Sequence, residues 1–491
     1  MNDMDAPSHA GNDVFDLDAT GQAALLSSGQ VSAVELVDAA IANAERLNPQ
    51  LNAIVIERYE RARDEARSPG SGPFAGVPIV LKDLGAEIAG EQTHCGSRGL
   101  KEAGFTASQT SAVARRLREA GLIAIGRTNT PEWGTTITTE PMAYGPSRNP
   151  WNLDHSTGGS SGGTGAAVAA RIVAVGHGSD GGGSIRIPSS ECGLVGLKPS
   201  RGRISRSPEG ESWAGASTDG AITRTVRDAA AMLDILSGYE PGDHYTAPAF
   251  ARPLVEEVGA DPGRLRIGFT TGESSGKPID GECIAAVEGA GRLLESLGHR
   301  VEANSPAVLD DPAYVERFIG MIAANIANTR DFFEAQLGRE MTDADLEGDN
   351  LLFSAIGRSM GASAYLDVLA WLSSWSRRLL QWWHGPDAFD VLVCPVLTLT
   401  PPRIGWLSGP ESGQRIQQLM LYTSHFNISG QPAISLPLHW SADGLPVGVQ
   451  LIAAYGREDL LIRLAAQLET AQPWATRRPP VCATERSGGE S

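Results

Sequence analysis

Three consecutive glycines, Gly181, Gly182 and Gly183, run directly into Ser184-Ile185-Arg186. Glycine weakens helices and strands, so such a run carries a conformational cost unless bare backbone is what the position needs. A second glycine-serine stretch, Thr157-Gly158-Gly159-Ser160-Ser161-Gly162-Gly163, lies upstream of it. Between them sits the apolar AAVAARIVAV, short of the roughly 20 residues a bilayer crossing takes and interrupted by an arginine. Loops of this kind cradle a phosphate, surround a nucleophile or link two elements. The rest of the chain has to separate these.

With 41% hydrophobic and 20% charged residues in 491, the chain can bury a large core. Its 57 glycines favour a loop-rich α/β enzyme over a helical bundle. A formal charge of −18 argues against a nucleic-acid groove and against an anionic membrane surface. Cys95, Cys192, Cys283, Cys394 and Cys482 are scattered, and no pair has metal-ligand spacing. The opening MNDMDAPSHAGNDV carries no apolar signal segment, so a reducing cytoplasm is the expected location.

Periodicity supplies a coarse map. Ser32 and Glu35 form a capping box ahead of the helical VELVDAAIANAERL. GVPIVLKD (76–83) reads as a buried strand that ends in a charged pair, and LIAIG (122–126) as another. Helices are expected at 111–121, near 163–171 and at 222–236, and polar surface loops over 190–220. Asn129-Thr130-Pro131-Glu132 should cap and start a helix. From about 310 to 385 the pattern is mainly helical, with Trp371, Trp375, Trp382 and Trp383 on a packed face. A hairpin around Asp443-Gly444 and the helix REDLLIRLAAQLE close the chain. The expectation is one domain over 1–491 with a helical insertion and disordered extreme termini.

Two motif matches fail on context. Gly176 to Gly181 satisfies G-x-G-x-x-G, but SIRIPSS follows, and its Pro188 rules out the long helix a dinucleotide site needs. Gly158 to Gly162 satisfies G-x-S-x-G, yet NPWNLDHST before it is no strand, so the nucleophile-elbow reading is set aside. No Walker-type phosphate loop occurs.

His94, His155 and His177 are the histidines near these motifs, and none has an orienting partner in the sequence. A lysine can act as base instead if burial keeps it neutral, and Lys82 ends an apolar strand. The same position also suits a lysine that reaches out to solvent.

Taken together, GVPIVLKD, GRTNTPEWG, SRNPWNLDHSTGGSSGGTGAAVAA, GSDGGGSIRIPSSECGLVGLKPSRGR and FNISGQPAISLPLHWSADGLPVGVQLIA resemble the amidase signature family, the Ser-Ser-Lys amidohydrolases, along nearly the whole chain. The resemblance implies an α/β fold with a central mixed twisted sheet flanked by helices on both faces. It implies Ser184 as the acylated nucleophile, Ser160 as the bridging serine on a cis peptide, and Lys82 as the base. Backbone N–H groups of Gly181, Gly182, Gly183 and Ser184 would form the oxyanion hole, and Asp180 with Arg186 a bracing ion pair. Asp83 is expected to orient Lys82 or cap a turn, and Ser161 to make a loop hydrogen bond. Relatives often carry a larger residue where this chain has Gly181, so a looser loop or a wider pocket floor is expected. The expected substrate is a small amide, with linear or cyclic aminohexanoate oligomers, aryl amides and fatty amides all compatible with the apolar 319–383 region and the 400–426 passage. No metal, cofactor, nucleic acid or membrane is expected to take part, and a homodimer is the candidate assembly. An amide-hydrolysing subunit of a tRNA amidotransferase and a non-catalytic scaffold are the alternatives.

Overall fold

The computed structural model describes residues 12–272, 276, 278–409, 411–419 and 422–484. The expected disorder of the extreme termini concerns 1–11 and 485–491, which lie outside the described residues. Among the described residues eleven strands form one sheet: β1 (Ile54–Glu57), β2 (Pro78–Lys82), β3 (Ile123–Thr128), β4 (Val175–Asp180), β5 (Val195–Lys198), β6 (Thr218–Thr223), β7 (Arg266–Phe269), β8 (Arg300–Ala303), β9 (Val391–Pro395), β10 (Ala433–Trp440) and β11 (Pro446–Ala453). Their spatial order is β1-β3-β2-β4-β6-β5-β10-β11-β9-β7-β8. β3-β2-β4 and β9-β7-β8 pair in parallel and the other neighbours antiparallel, so the sheet is mixed.

Side-chain alternation divides the two faces. Ile79 and Leu81 of β2 enter one core, with Val113 and Leu117 of the helix Ala112–Glu119 and the apolar faces of Val226–Leu236, Gly281–Ser296 and Glu458–Ala471. Val80 faces the other way, toward the helices Ala33–Leu51 and Gly162–Ala169. At the far end of the sheet Leu392 and Cys394 of β9 meet Phe318 and Trp375 of the helices Tyr314–Leu337 and Ala362–Leu380. This second face is therefore shared by two helical groups. Lys82, two residues on from Val80, falls on it. Helices cover both faces.

The helix Ala33–Leu51 begins as its sequence prescribes: Glu35 N–H donates to Ser32 Oγ at 3.2 Å, and Ser32 N–H to Glu35 Oε2 at 2.8 Å. Trp375 and Trp383 are buried and Trp371 and Trp382 partly so, in the packed role expected of them.

Three local expectations need correction. The 190–220 segment is not a run of surface loops: it contains β5 and the start of β6, both buried. A strand covered on both faces shows no alternation to read, and its polar groups are satisfied internally, as where Lys198 Nζ donates to Pro199 O at 2.7 Å. The helix expected at 222–236 starts only at Val226, with Thr225 as its cap, because Ile222 and Thr223 belong to β6. Asn129 to Glu132 starts no α-helix. Only the short 3-10 turn Glu132–Gly134 follows, since Trp133 takes a left-handed φ of 53°.

Candidate active site

Lys82 is fully buried at the end of β2. Its Nζ donates to Ser160 Oγ at 2.7 Å and to Ser179 Oγ at 2.9 Å. Removal of water from the ammonium brings its pKa down to about 7; the negative charges of Asp219 and Asp180 oppose this, and Arg206 adds to it. A second buried lysine, Lys198, is also brought to about 7 by burial. What distinguishes Lys82 is the serine on its amine.

Ser160 sits just before the Gly162–Ala169 helix, and the Gly159–Ser160 peptide is cis. Glycine neighbours are a steric requirement here. A Cβ at Gly159 would stand 2.6 Å from Thr138 O, and one at Gly162 2.2 Å from Thr157 Oγ1. Ser161 donates to Ser179 O at 3.3 Å, a loop hydrogen bond of the expected kind.

Ser184 closes the glycine loop and is 8% exposed. Among the described residues no hydrogen bond joins its hydroxyl to Ser160. The loop is organised by Asp180, whose carboxylate accepts from Gly183 N–H at 2.7 Å and Ile185 N–H at 3.1 Å. Arg186 clamps the same carboxylate from Nη2 at 2.8 Å and Nε at 2.9 Å. This guanidinium holds the Asp180 carboxyl well below the usual range against a large burial effect. Gly183 is consequently not free as an oxyanion donor, because its N–H is already given to Asp180. Gly181, Gly182 and Ser184 retain theirs among the described residues. Gly183 must still be glycine: its φ is +137°, and a Cβ would meet Ile187 Cδ1 at 2.6 Å.

The wider pocket floor expected at Gly181 is not found, since Trp213 fills the space beside it. Asp83 caps a turn and does not bond Lys82. It accepts from His94 N–H at 3.0 Å, and burial pushes its carboxyl up to about 6. His94 pairs with Tyr144, His155 with Pro401 O and His177 with Asp219, so each histidine is engaged elsewhere.

Several contributors escaped the sequence. Ser179 is the second acceptor on Lys82, while Asp219, held by Arg206 at 2.8 Å and His177 at 3.2 Å, supplies the opposing charge. Asn427 donates to Asp180 O at 2.9 Å, and Gln450 Oε1 accepts from Arg186 at 2.6 Å. Asn427 lies in FNISGQP, but nothing local marks it as a partner of a loop so distant in the chain. Among the described residues no group of three or more His, Cys, Asp or Glu could hold a metal ion.

The family model described as Amidase matches residues 35–462. The chain is 43% identical over 476 residues to the 6-aminohexanoate-cyclic-dimer hydrolase of Paenarthrobacter ureafaciens, covering 94% of this chain and 96% of that one. A solved structure of 6-aminohexanoate cyclic dimer hydrolase superposes with a TM-score of 0.92 at 42% identity, covering 95% of this chain and 99% of the other. A bacterial aryl acylamidase of the amidase signature enzymes superposes with a TM-score of 0.86 at 29% identity, covering 94% and 98%. With the sheet, the loops and the buried lysine in place, the chain belongs to the amidase family, hydrolases of carbon–nitrogen bonds other than peptide bonds.

Proposed function

We propose that the chain hydrolyses a small or medium linear or cyclic carboxamide through an acyl-enzyme on Ser184. The observation that carries this reading is the 2.7 Å bond from a buried, near-neutral Lys82 to Ser160. Neutral Lys82 takes the Ser160 proton as Ser160 takes that of Ser184, and Ser184 Oγ bonds to the amide carbon. The carbonyl oxygen becomes an oxyanion facing the Gly181, Gly182 and Ser184 N–H groups, where one good donor is worth about 3–4 kcal/mol. The intermediate collapses, the carbon–nitrogen bond breaks, and the relay returns its proton to the departing amine. Water then attacks the ester by the same relay and releases the carboxylate.

Similarity to the cyclic-dimer hydrolase supports an aminohexanoate oligomer or its cyclic dimer as substrate. The reading takes 1–491 as one domain, supported by the single sheet that includes strands from both ends of the chain. It places the enzyme in the cytoplasm, supported by its unpaired cysteines; no described helix is long and apolar enough to cross a membrane.

The test is fluorophosphonate labelling with peptide mass spectrometry, followed by turnover of linear and cyclic aminohexanoate amides. One adduct on Ser184, absent from Ser184→Ala, is expected. An adduct on Ser160 would overturn the roles assigned to the two serines.

A further inference from the structure

Gly181 has no side chain because another residue occupies its place. A Cβ there would lie 2.9 Å from Trp213 Cε3 and 3.2 Å from Cζ3, both in the six-membered ring of the indole. The turn that presents this ring is unusual. Trp213 and Ala214 have φ of 53° and 52°, and Gly215 follows at 78°. Non-glycine residues seldom adopt that region, and here two do so in succession.

The turn is pinned to the catalytic loop. Arg201 Nε donates to Gly215 O at 2.6 Å. Asn427 Nδ2 donates both to Ala216 O at 3.0 Å and to Asp180 O at 2.9 Å, so one side chain fixes the Trp213 turn and the residue just before Gly181. Trp213 and Gly181 are each only partly buried, and Trp213 also packs against the aromatic cluster of the 314–380 helices. The ring is thus a fixed wall beside the nucleophile loop.

We infer that Trp213 is a specificity-determining residue, whose indole, seated on bare Gly181, admits acyl chains unbranched at the carbon next to the carbonyl and excludes branched ones. The inference rests on the reading of Ser184 as nucleophile. An acyl carbon bound to Ser184, with its oxygen on the Gly181, Gly182 and Ser184 N–H groups, sits against this loop, and its nearest substituents meet what covers the donor residues. Over Gly181 that cover is the indole, which stands 2.9 Å from where a Cβ would be. A methylene chain fits where a methyl branch collides.

The experiment compares p-nitrophenyl butyrate with p-nitrophenyl isobutyrate, reading the Ser184-dependent acylation rate against a Ser184→Ala control. The full-length chain is used as wild type, Trp213→Ala, Trp213→Phe, Gly181→Ala and the Gly181→Ala/Trp213→Ala double variant. Trp213→Ala should raise the isobutyrate-to-butyrate ratio at least about tenfold, the low end of what one methyl-sized group decides in a pocket. Trp213→Phe should keep the wild-type ratio. Gly181→Ala should slow both esters, and the double variant should recover because the colliding ring is gone. An unchanged ratio in a folded Trp213→Ala, or no recovery in the double variant, overturns the inference while leaving the nucleophile intact. Loss of Ser184 labelling in the wild type would instead overturn the catalytic reading and this inference with it.

Discussion

Lys82 offers the most direct test of the electrostatics. Burial takes it from 10.5 to about 7, a difference worth about 5 kcal/mol at 1.36 kcal/mol per unit. In the proposed role Lys82 works only when neutral. The acylation rate should therefore climb about tenfold per pH unit below 7 and level off above about 8. Replacing Asp219 by Asn moves this limb in a defined direction. Asp219 stabilises the lysine's charge, and its loss leaves the opposing Arg206 charge unbalanced. The Lys82 pKa falls, so the limb should move toward acid by about one unit. The assay is single-turnover acylation by a fluorophosphonate from pH 5 to 9, which separates the relay from product release. A flat profile, a limb above pH 9 or an alkaline shift in Asp219→Asn would refute the assignment.

Lys82→Ala should slow acylation by about 10²–10⁴ without changing the labelled residue, as measured by adduct formation over time. Asp180→Ala leaves Arg186 buried without its carboxylate and should destabilise the fold by about 3–5 kcal/mol in denaturant unfolding. Glu132 bonds Asn350 Nδ2 and Glu347 N–H at 2.8 Å through one oxygen, and burial pushes it up to about 7 from 4.5. The folded chain keeps a proton there that the unfolded chain releases between those pH values, so stability falls as pH rises through that window. Glu132→Gln keeps the acceptor and removes the charge, and should gain roughly 3 kcal/mol at pH 8 and nothing at pH 4 by urea unfolding.

Much of the site was legible because its parts are local in sequence. The apolar run ending in Lys82 reads as a buried strand terminus but equally suits a lysine that reaches solvent, and the glycine-flanked serines gain their roles only with the family resemblance. The capping box at Ser32 and Glu35 needs only four residues to be recognised. Strand β4 is not legible in the sequence, for the opposite reason. Its sequence, VGHGSD, has no alternation of apolar side chains, and Gly176 is there because a Cβ would meet Thr164 Cγ2 at 2.4 Å on the helix lying across it. That glycine reports packing against a partner, and no partner is visible in one dimension.

The sequence alone determined strands β2 and β3 and the helical 310–385 region, because periodicity and steric punctuation act over a few residues, while Lys82, Ser160 and Ser184 were singled out by the resemblance to the amidase signature family. Tertiary structure decided which groups meet. It joined Lys82 to Ser160 and Ser179, committed the Gly183 N–H to Asp180, and set Trp213 where Gly181 has no side chain. Burial and distance produce those outcomes, and both are properties of the folded chain that no local segment carries.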